Sequence, residues 1–517
     1  MDLAHGALVV ALLAIISITT SFNKKKARRN LPLPPGPRPL PILGNLHRMN
    51  TVFPWITYKE WSDIYGDIIY SRILNQDVII LNSEKVARAL LEKRSGNYSD
   101  RPRFATMELQ VIRCMLFKPT HTICLKGYGD AWRRHRRIYH QAFRPEAAVI
   151  YRPMQLRKAH QLLLNLFHDP AKYEMHLETH SASIVMSAVY DYDTKPDDPL
   201  VSMIQGAMHR IIHAETPEKA AIIDSYPALT LIPAWFPGAS FKRHALELKS
   251  VLKDMVEKPF EYAIDRISSG LSSPSMVSEG LARFQGDPSF ELAIKESSAT
   301  AFGAGSETTH SVVLVFVQAM VLNPEVQKRA QAEIDRVVTA DRLPDFGDRD
   351  SMPYIEAILR ETLRFYPIVP LGVPHAAVND DVYDGYFIPK GTSILTNVWA
   401  MTHDATKYPA PFEFKPERFF TPSGDLNDDH VTPVWGWGRR ICVGRYVADA
   451  TLWSAIASTL AVFDFLKATD ANGKDINFEP RWTSGIMSRP VSFPCRIVPR
   501  RRDMDVEKLT SLISATA

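Results

Sequence analysis

The chain has 517 residues, 45% of them hydrophobic, which is enough to bury a large core. Its formal net charge of +4 is too small to support nucleic-acid binding, so we expect no nucleic acid among its partners. The four cysteines (Cys114, Cys124, Cys442 and Cys495) show no CxxC spacing, which excludes a dense disulfide framework and suits a reducing compartment.

The N-terminal segment differs in composition from the rest of the chain. Residues 7–22 carry no charge, five lysines and arginines follow within residues 24–29, and prolines recur from Pro32 to Pro41. A cleaved signal peptide and a buried helix are the alternatives for this segment. A cleaved signal peptide would carry its basic residues before the apolar run, whereas here they follow it. We predict a transmembrane signal anchor over 1–22, a basic, proline-rich linker over 23–45, and one large cytosolic domain over 46–517.

The first half of that domain is predicted to be mostly helical. A helix starts near Trp55, two alternating strands lie within 67–82 around an Asn-Gln turn, and another helix runs through Leu91. Helical spacing then dominates residues 131–262, except for the apolar, proline-broken stretch 226–238. Because that stretch is apolar and irregular, we expect it to dip into a membrane surface.

Two motifs in this half bear on function. "WRRHRR" holds Trp132 and Arg136 at i,i+4, which could be no more than a solvated basic face. "HLETH" and "HRIIH" pair His176 with His180 and His209 with His213, but neither has Glu after its first His, so neither fits a zinc-protease motif. We interpret these histidines as helix-surface residues.

A long helix is predicted from about residue 290 to 322, ending before Asn323-Pro324. It contains "AGSETT" (304–309), where Gly303 and Gly305 each cost about 1 kcal/mol relative to Ala in a helix. Such a stretch is expected where a helix passes over a reactive group, because it places two glycines, the acid Glu307 and two hydroxyls inside an otherwise apolar helix. A kinked helix with a solvent-facing Glu–Thr pair is the alternative.

The remaining elements are mixed. More helix is predicted up to Phe365, short strands and turns over 370–395, irregular chain to Gly438, a helix from Gly444 to about Phe463, and short strands to the end. "ETLR" places Glu361 and Arg364 on one helix face, and "PERF" follows with Arg418. The balance predicts a mainly α fold with a smaller β part.

"VWGWGRRICVG" (434–444) sets Cys442 just before the last long helix, among glycines and arginines. A helix N-terminus stabilises a thiolate, and glycines let a large group approach the backbone. An isolated cysteine here would be structural. The order Trp435-Gly436-x-Gly438-x-Arg440-x-Cys442-x-Gly444, however, resembles the haem-binding loop of the cytochrome P450 superfamily, although Trp435 and Val443 stand where Phe and Pro are usual.

The resemblance implies roles for residues along the whole chain. Cys442 would be the axial ligand of the iron in haem b (iron protoporphyrin IX), and Trp132, Arg136, His375 and Arg440 would contact the haem propionates. Thr308 would act in oxygen activation, in a helix whose hydrogen-bond ladder opens near Ala304, and Glu307 would support a proton relay. Glu361, Arg364 and Arg418 would form a structural ion cluster.

The implied reaction is a monooxygenation, in which one oxygen atom of O2 enters a lipophilic small molecule. NADPH-cytochrome P450 reductase, with cytochrome b5 as a further candidate, would donate electrons by docking on the basic side chains Arg133, Arg134, Arg137, Arg439 and Arg445. The pocket would be lined by residues 104–117, Ser298, Ala301, Phe302, 368–371, Ile486 and Met487. The chain looks like microsomal fungal (basidiomycete-type) enzymes of secondary metabolism, which implies an endoplasmic reticulum membrane and a terpenoid or indole substrate.

Two alternatives remain open at this point. One is a superfamily member that rearranges or dehydrates its substrate without activating O2, against which Glu307 and Thr308 count. The other is a non-catalytic membrane haem protein that senses a ligand, against which the basic donor face also counts.

Overall fold

The computed structural model describes residues 31–102, 123–195, 198–212, 222–236, 239–339 and 341–516. Within these ranges the chain is predominantly helical with a small sheet part, which confirms the predicted fold class. The α-helices are α1 (Pro54–Tyr65), α2 (Glu84–Ala87), α3 (Ser95–Tyr98), α4 (Asp130–Phe143), α5 (Pro145–Ala148), α6 (Arg152–His168), α7 (Tyr173–Tyr190), α8 (Pro199–Ile212), α9 (Ser240–Ser268), α10 (Met276–Arg283), α11 (Pro288–Leu322), α12 (Pro324–Val337), α13 (Pro353–Phe365), α14 (Val398–Thr402), α15 (Arg445–Val462) and α16 (Val506–Thr516).

The largest sheet joins distant parts of the sequence. Its strands are β1 (Ile68–Ile73), β2 (Gln76–Leu81), β3 (His375–Ala376) and β6 (Ser393–Thr396), in the order β1-β2-β6-β3. Strands β2 and β6 are parallel and the other pairs antiparallel. Two smaller antiparallel pairs are formed by β4 (Asp381–Tyr383) with β5 (Tyr386–Ile388), and by β7 (Phe463–Lys467) with β8 (Cys495–Pro499).

The β1–β2 turn lies one residue earlier than predicted. Ile73 pairs with Gln76, so the turn residues are Leu74 and Asn75 rather than Asn75 and Gln76. Leu74 takes a left-handed conformation with φ of 51°, and its side chain is 6% exposed. Burial of this apolar side chain offsets the cost of the unfavourable backbone conformation.

Helix α11 positions the candidate site. Its N-terminus is capped by the Asp287 side chain, which accepts from the backbone N–H of Ser289 at 2.9 Å, and Asn323 ends it before Pro324. The N-terminal part of α11 packs in one apolar cluster with α4, α7 and α10. The C-terminal part packs in another with α6, α13 and α15. The "AGSETT" stretch lies where the two clusters meet.

The end of the chain differs from the prediction. Short strands were expected to finish it, but after β8 the chain forms α16, whose Leu509 and Leu512 are buried. The Asp505 side chain caps this helix by accepting from the backbone N–H of Lys508 at 2.8 Å. An Asp followed by leucines at helical spacing was the available signal for this helix.

The prediction that the paired histidines lie on helix surfaces is wrong for His176 and His180. They are 9% and 4% exposed. His180 Nδ1 lies 3.2 Å from the carbonyl oxygen of Lys158 on α6, and His176 Nε2 lies 2.9 Å from that of Asp169. Helix α7 is buried on several sides, so one nitrogen of each imidazole bonds to a backbone carbonyl instead of water, while His180 Nε2 has no hydrogen-bond partner among the described residues. The side chains of His209 and His213 lie outside the described residues.

The stretch predicted to be irregular contains a short 3₁₀ helix, Pro227–Leu231, followed by a turn. Leu231 and Trp235 are 82% and 79% exposed. No single helix of the described residues is long and apolar enough to cross a membrane. The pair α11–α12, bent by 105°, is long and apolar enough only when the two helices are counted together. Helix α11 is largely buried in protein, and the predicted anchor, 1–22, lies outside the described residues.

Candidate active site

Cys442 ends a tight loop between a short 3₁₀ helix, Gly438–Arg440, and α15. The loop is closed by its own backbone, since the N–H of Cys442 donates to the carbonyl of Trp435 at 2.8 Å. The carbonyl of Cys442 accepts from Arg445, and that of Ile441 accepts from Arg136 on α4 at 2.7 Å. The thiol is therefore fixed in front of the N-terminus of α15.

Opposing effects act on the Cys442 thiol. Burial raises its pKa, while the backbone N–H of Gly444 and the charges of Arg136 and Arg445 lower it, and the net direction is upward. The loop thus holds a thiol rather than a ready thiolate. A metal ion deprotonates the thiol that coordinates it, so ionisation here fits metal coordination.

The three glycines of the loop serve two purposes. A Cβ on Gly444 would meet no atom within 4 Å, and one on Gly436 would come no closer than 4.0 Å to the carbonyl oxygen of Arg440. A Cβ on Gly438 would lie 2.0 Å from the carbonyl oxygen of Leu91. The expectation that all three make room for a large group therefore fails at Gly438, where the glycine, with φ of 54°, admits a neighbouring backbone.

Arg440 and Trp132 lie together beside this loop. The Arg440 guanidinium stacks over the Trp132 ring at 4.6 Å, and Trp132 is 4% exposed. Arg440 donates to the carbonyl oxygens of Ser99, Ile123 and Lys126 at 2.8, 3.1 and 2.8 Å. It therefore ties the cysteine loop to the chain that precedes α4.

Arg101 is a buried guanidinium that the sequence analysis missed. It donates to the carbonyl oxygens of Cys124, Val373 and Pro374 at 2.7, 2.8 and 2.6 Å. The adjacent His375 contacts the carbonyl of Tyr98 through Nδ1 at 2.7 Å, so that nitrogen carries the proton. No motif singles out Arg101, because two of its three partners, Val373 and Pro374, lie 272 and 273 residues away in the sequence.

Arg101, Arg136 and Arg440 form a patch of positive charge that the nearby Asp100 carboxylate offsets only in part. Burial, together with the neighbouring charges of Arg101 and Arg136, lowers the pKa of Arg440 to about 9. Burial also lowers the pKa of Arg101 to about 10. Among the described residues these three guanidiniums donate to backbone carbonyls and form no ion pair with a carboxylate. Haem, with two propionate carboxylates and an iron that binds thiolate, supplies the charges this donor set lacks, so the residues present fit it.

A buried polar cluster, formed by Lys126, His135, Glu296 and Ser297, fixes the chain in front of α4. Lys126 Nζ lies 2.8 Å from His135 Nε2 and 3.3 Å from Glu296 Oε2, and His135 Nδ1 lies 2.9 Å from Ser297 Oγ. Burial lowers the pKa of Lys126, and the Glu296 carboxylate counters that effect. The cluster joins α4 and α11 to the loop whose carbonyls hold Arg440.

Thr308 and Glu307 lie on α11, on the stretch between the two apolar clusters. The Thr308 hydroxyl donates to the carbonyl of Ala304 at 2.7 Å, and Ala304 is exposed although it lies in mid-helix. The helix is unbroken over this stretch, so the expected opening of its hydrogen-bond ladder is not seen. Glu307 Oε1 lies 3.6 Å from Arg489 Nε.

The predicted pocket lining is only partly described. Residues 104–117 lie outside the described ranges, and Ile486 is 72% exposed. Ser298 and Phe302 are 0% and 2% exposed, and Phe302 packs in the core with α4 and α7. They therefore do not line a cavity, and the prediction is wrong for both, because they face α7 rather than the Ala304 side of α11.

Glu361, Arg364 and Arg418 form a buried ion cluster away from the cysteine. Arg364 makes a bidentate pair with Glu361, at 2.7 Å to Oε2 and 2.8 Å to Oε1, and Arg418 lies 3.2 Å from the same carboxylate. The carboxylate also accepts from the backbone N–H of Lys415 at 2.7 Å. The cluster fastens α13 to the chain that leads to the cysteine loop.

Comparison with known proteins gives a consistent result. The family model described as cytochrome P450 matches residues 34–493. Cytochrome P450 monooxygenase COX2 of Coprinopsis cinerea is 38% identical over 96% of this chain and 93% of its own length. Cytochrome P450 monooxygenases 98 and 208 of Postia placenta are each 36% identical, over 97% and 98% of this chain and 96% of their own lengths.

Proposed function

This chain belongs to the cytochrome P450 family and is a monooxygenase, and we propose that it hydroxylates a lipophilic small molecule in fungal secondary metabolism. The observation that carries the proposal is the Arg101–Arg136–Arg440 patch beside the Cys442 loop, whose three positive charges exceed the one negative charge of the nearby Asp100 and suit a dianionic haem held by a thiolate. Haem, when bound, supplies the oxidising chemistry for transfer of one atom of O2, with electrons that originate from NADPH.

Residues of this chain would bind the haem and move protons. Cys442 would bind the iron after its thiol proton leaves, and Arg440, Arg101, Arg136, Trp132 and His375 would hold the propionates. The Thr308 hydroxyl donates to the Ala304 carbonyl, so its lone pairs are free to accept a hydrogen bond, and in a relay Thr308 would take up a proton from Glu307 only as it releases its own toward the reacting group. Trp435 packs against the core behind the loop.

The substrate is proposed to be apolar, of terpenoid or indole type. Ile486 near the C-terminus is an exposed apolar side chain at a predicted lining position, where Ile368 and Leu371 are partly exposed, and Ala304 is an exposed residue in the middle of α11. Burial of such surface against a ligand contributes about 25 cal/mol per Å².

We propose the endoplasmic reticulum membrane as the location, with the domain on the cytosolic side and residues 1–22 as the anchor. The apolar run and the basic residues that follow it support this topology. A reductase, or cytochrome b5, would dock on the basic side chains around α4 and the cysteine loop. Arg133, Arg137 and Arg439 are exposed there, and Arg133 and Arg439 both lie over the Tyr128 ring at 5.4 Å.

The decisive test is spectroscopic and isotopic. The reduced wild-type protein with carbon monoxide should show the strongly red-shifted absorption band of a thiolate-bound haem, and Cys442→Ser should lose it. With reductase and NADPH, a compound selected by its spin-state shift should gain one labelled atom from ¹⁸O2. A rearranged product without label would contradict monooxygenation, and binding without NADPH consumption would point to a sensor.

A further inference from the structure

The segment that precedes α4 supplies carbonyl oxygens to two guanidiniums of the candidate site. Residues 123–129 form neither helix nor strand. The carbonyl of Lys126 accepts from Arg440 at 2.8 Å. The carbonyl of Cys124 accepts from Arg101 at 2.7 Å. Irregular chain has no helical or strand ladder to fix such oxygens, so the directions of both guanidiniums depend on the contacts that hold this segment.

Lys126 is held at its side-chain end by two helices. Its ammonium donates to Glu296 Oε2 on α11 at 3.3 Å and lies 2.8 Å from His135 Nε2 on α4. His135 Nε2 lies 3.0 Å from the same carboxylate oxygen, and the side chains of Lys126 and Glu296 are only 6% and 9% exposed. The Lys126 side chain is therefore fixed between α4 and α11, while its own carbonyl accepts from Arg440.

The carboxylate belongs to a part of α11 that is firmly joined to α4. His135 Nδ1 lies 2.9 Å from Ser297 Oγ, and the Tyr139 hydroxyl donates to the carbonyl of Ser297 at 2.6 Å. Both contacts lie beside Glu296 in the sequence. Glu296 is therefore attached to a framework of two packed helices, whereas the segment that it holds is irregular.

Glu296 supplies the negative charge that the buried ammonium of Lys126 needs. Burial lowers the pKa of His135, so its imidazole is neutral at physiological pH. The charge of Arg134, which acts on both Lys126 and His135, is positive and cannot replace the carboxylate. Removing one partner of a buried pair leaves the other charge unpaired. Without Glu296 we expect the ammonium to move toward solvent and to draw the Lys126 carbonyl away from Arg440.

We propose that Glu296 is a positioning residue for haem binding, which acts through Lys126 on the Arg440 guanidinium. The inference rests on the haem-thiolate site of the proposed function. Glu296 fixes the Lys126 side chain, and the Lys126 carbonyl then holds Arg440 in a direction in which the guanidinium also binds a propionate. No local motif indicates this role, because Glu296 and Lys126 are 170 residues apart in the sequence.

Haem release from the purified holoenzyme to excess apomyoglobin measures the effect without turnover. Glu296→Gln and Lys126→Met should each release haem about tenfold faster than wild type, as is usual when a group that supports a ligand is removed. Glu291→Gln, at an exposed position on the first turn of α11, is the matched control and should release haem at the wild-type rate. Release from Glu296→Gln at the rate of this control overturns the inference.

A double replacement covers the case in which a single variant does not fold. Lys126→Met/Glu296→Gln leaves neither charge of the pair unpaired, so it should fold, as circular dichroism verifies. It should release haem faster than wild type but no faster than either single variant, because both residues act through the same carbonyl. Release at the wild-type rate, or at a rate that multiplies the two single effects, overturns the inference.

The haem reduction potential distinguishes positioning from a general loosening of the fold. Reduction adds a negative charge that a guanidinium close to the propionates stabilises, so Glu296→Gln should make the potential more negative. In an Arg440→Gln background the same replacement should change neither the potential nor haem release, because the residue through which it acts is gone. Equal effects in both backgrounds overturn the inference alone, whereas a wild type without the thiolate–haem absorption band overturns the proposed function.

Discussion

Arg101 shows how a single buried charge organises the site. Its guanidinium is 8% exposed and donates to three carbonyls on two separate segments, yet no carboxylate of the described residues pairs with it. A buried cation that already bonds to carbonyls still favours an anion nearby, because carbonyl dipoles do not cancel its charge. Arg101 is therefore expected to contribute as much as Arg440 to binding the propionates of the proposed haem.

Replacement of Arg101 tests this role directly. Arg101→Gln should lower haem affinity about tenfold or more, since a hydrogen bond to a charged group contributes about 1.5–3 kcal/mol. The haem-to-protein ratio after purification, with circular dichroism to verify the fold, measures the effect. Arg496→Gln, an exposed arginine on β8, is the control and should keep full haem content.

The same scale shows what sequence could and could not reveal about the site. Cys442, Glu361, Arg364 and Arg418 are found from local motifs, since each motif reports a local geometry. Arg101 and Arg489 are not, because their partners come from segments that only the folded chain brings together. Ser298 and Phe302 were placed in the pocket by family resemblance, which does not say which residues of α11 are covered by α7 in this chain.

At the scale of elements, α13 is held by its ion cluster. Glu361 and Arg364 are both 0% exposed, and Arg418 is 8% exposed. Removing one partner leaves the other charges buried and unpaired, which typically costs 3–5 kcal/mol. The contacts of Arg364 with the carbonyls of Thr402 and Pro411, both at 2.9 Å, extend the cluster to the chain beyond α14.

Glu361→Gln should accordingly lower the free energy of unfolding by about 3–5 kcal/mol. Urea unfolding followed by circular dichroism measures the loss. Lys328→Gln breaks an exposed pair with Glu325 and should cost no more than about 1 kcal/mol. Equal effects of the two changes would show that burial of the cluster contributes little.

Helix α7 gives the fold a pH dependence through His180. Burial lowers the pKa of its imidazole from 6.5 to about 4. Between these two pH values the imidazole is protonated in the unfolded chain and neutral in the native state. Stability from this group is complete above pH 6.5 and is lost as the pH falls to about 4, amounting to about 3 kcal/mol. His180→Gln should flatten the pH dependence of unfolding in this window by that amount.

Urea midpoints measured at pH 7 and pH 4.5 test this expectation. His430→Gln, at an exposed position, is the control and should retain the wild-type pH dependence. A His180→Gln protein that loses stability on acidification as fast as wild type would assign the effect to other groups. The sequence predicted the histidine pair on α7 to lie on the helix surface because residue spacing shows helicity but not the number of buried faces.

At the scale of the whole molecule, sequence predicted the fold class and most elements, since hydrophobic periodicity is strong in helices such as α11 and α15. It missed α16 at the C-terminus, where only an Asp cap and two leucines signal the helix. The exposed apolar stretch with Leu231 and Trp235 agrees with the proposed membrane location.

That location predicts contact between Trp235 and lipid. In the full chain reconstituted in vesicles, lipid-attached bromine should quench part of the tryptophan fluorescence, and Trp235→Phe should remove most of the quenched fraction. Trp61→Phe, at a site 7% exposed, should leave that fraction unchanged. Quenching that persists in Trp235→Phe would place this side chain away from the bilayer.

The parallel pairing of β2 with β6 also has a consequence for synthesis on the ribosome. Val78 and its partner Ser393 are separated by about 315 residues, so at 5–20 residues per second the growing chain waits roughly 15–60 s before the partner strand exists. During that interval the edge Val78–Leu81 has no strand to pair with, and unpaired apolar edges attract other chains. This edge of β2 therefore has to stay free of other chains until β6 has been synthesised.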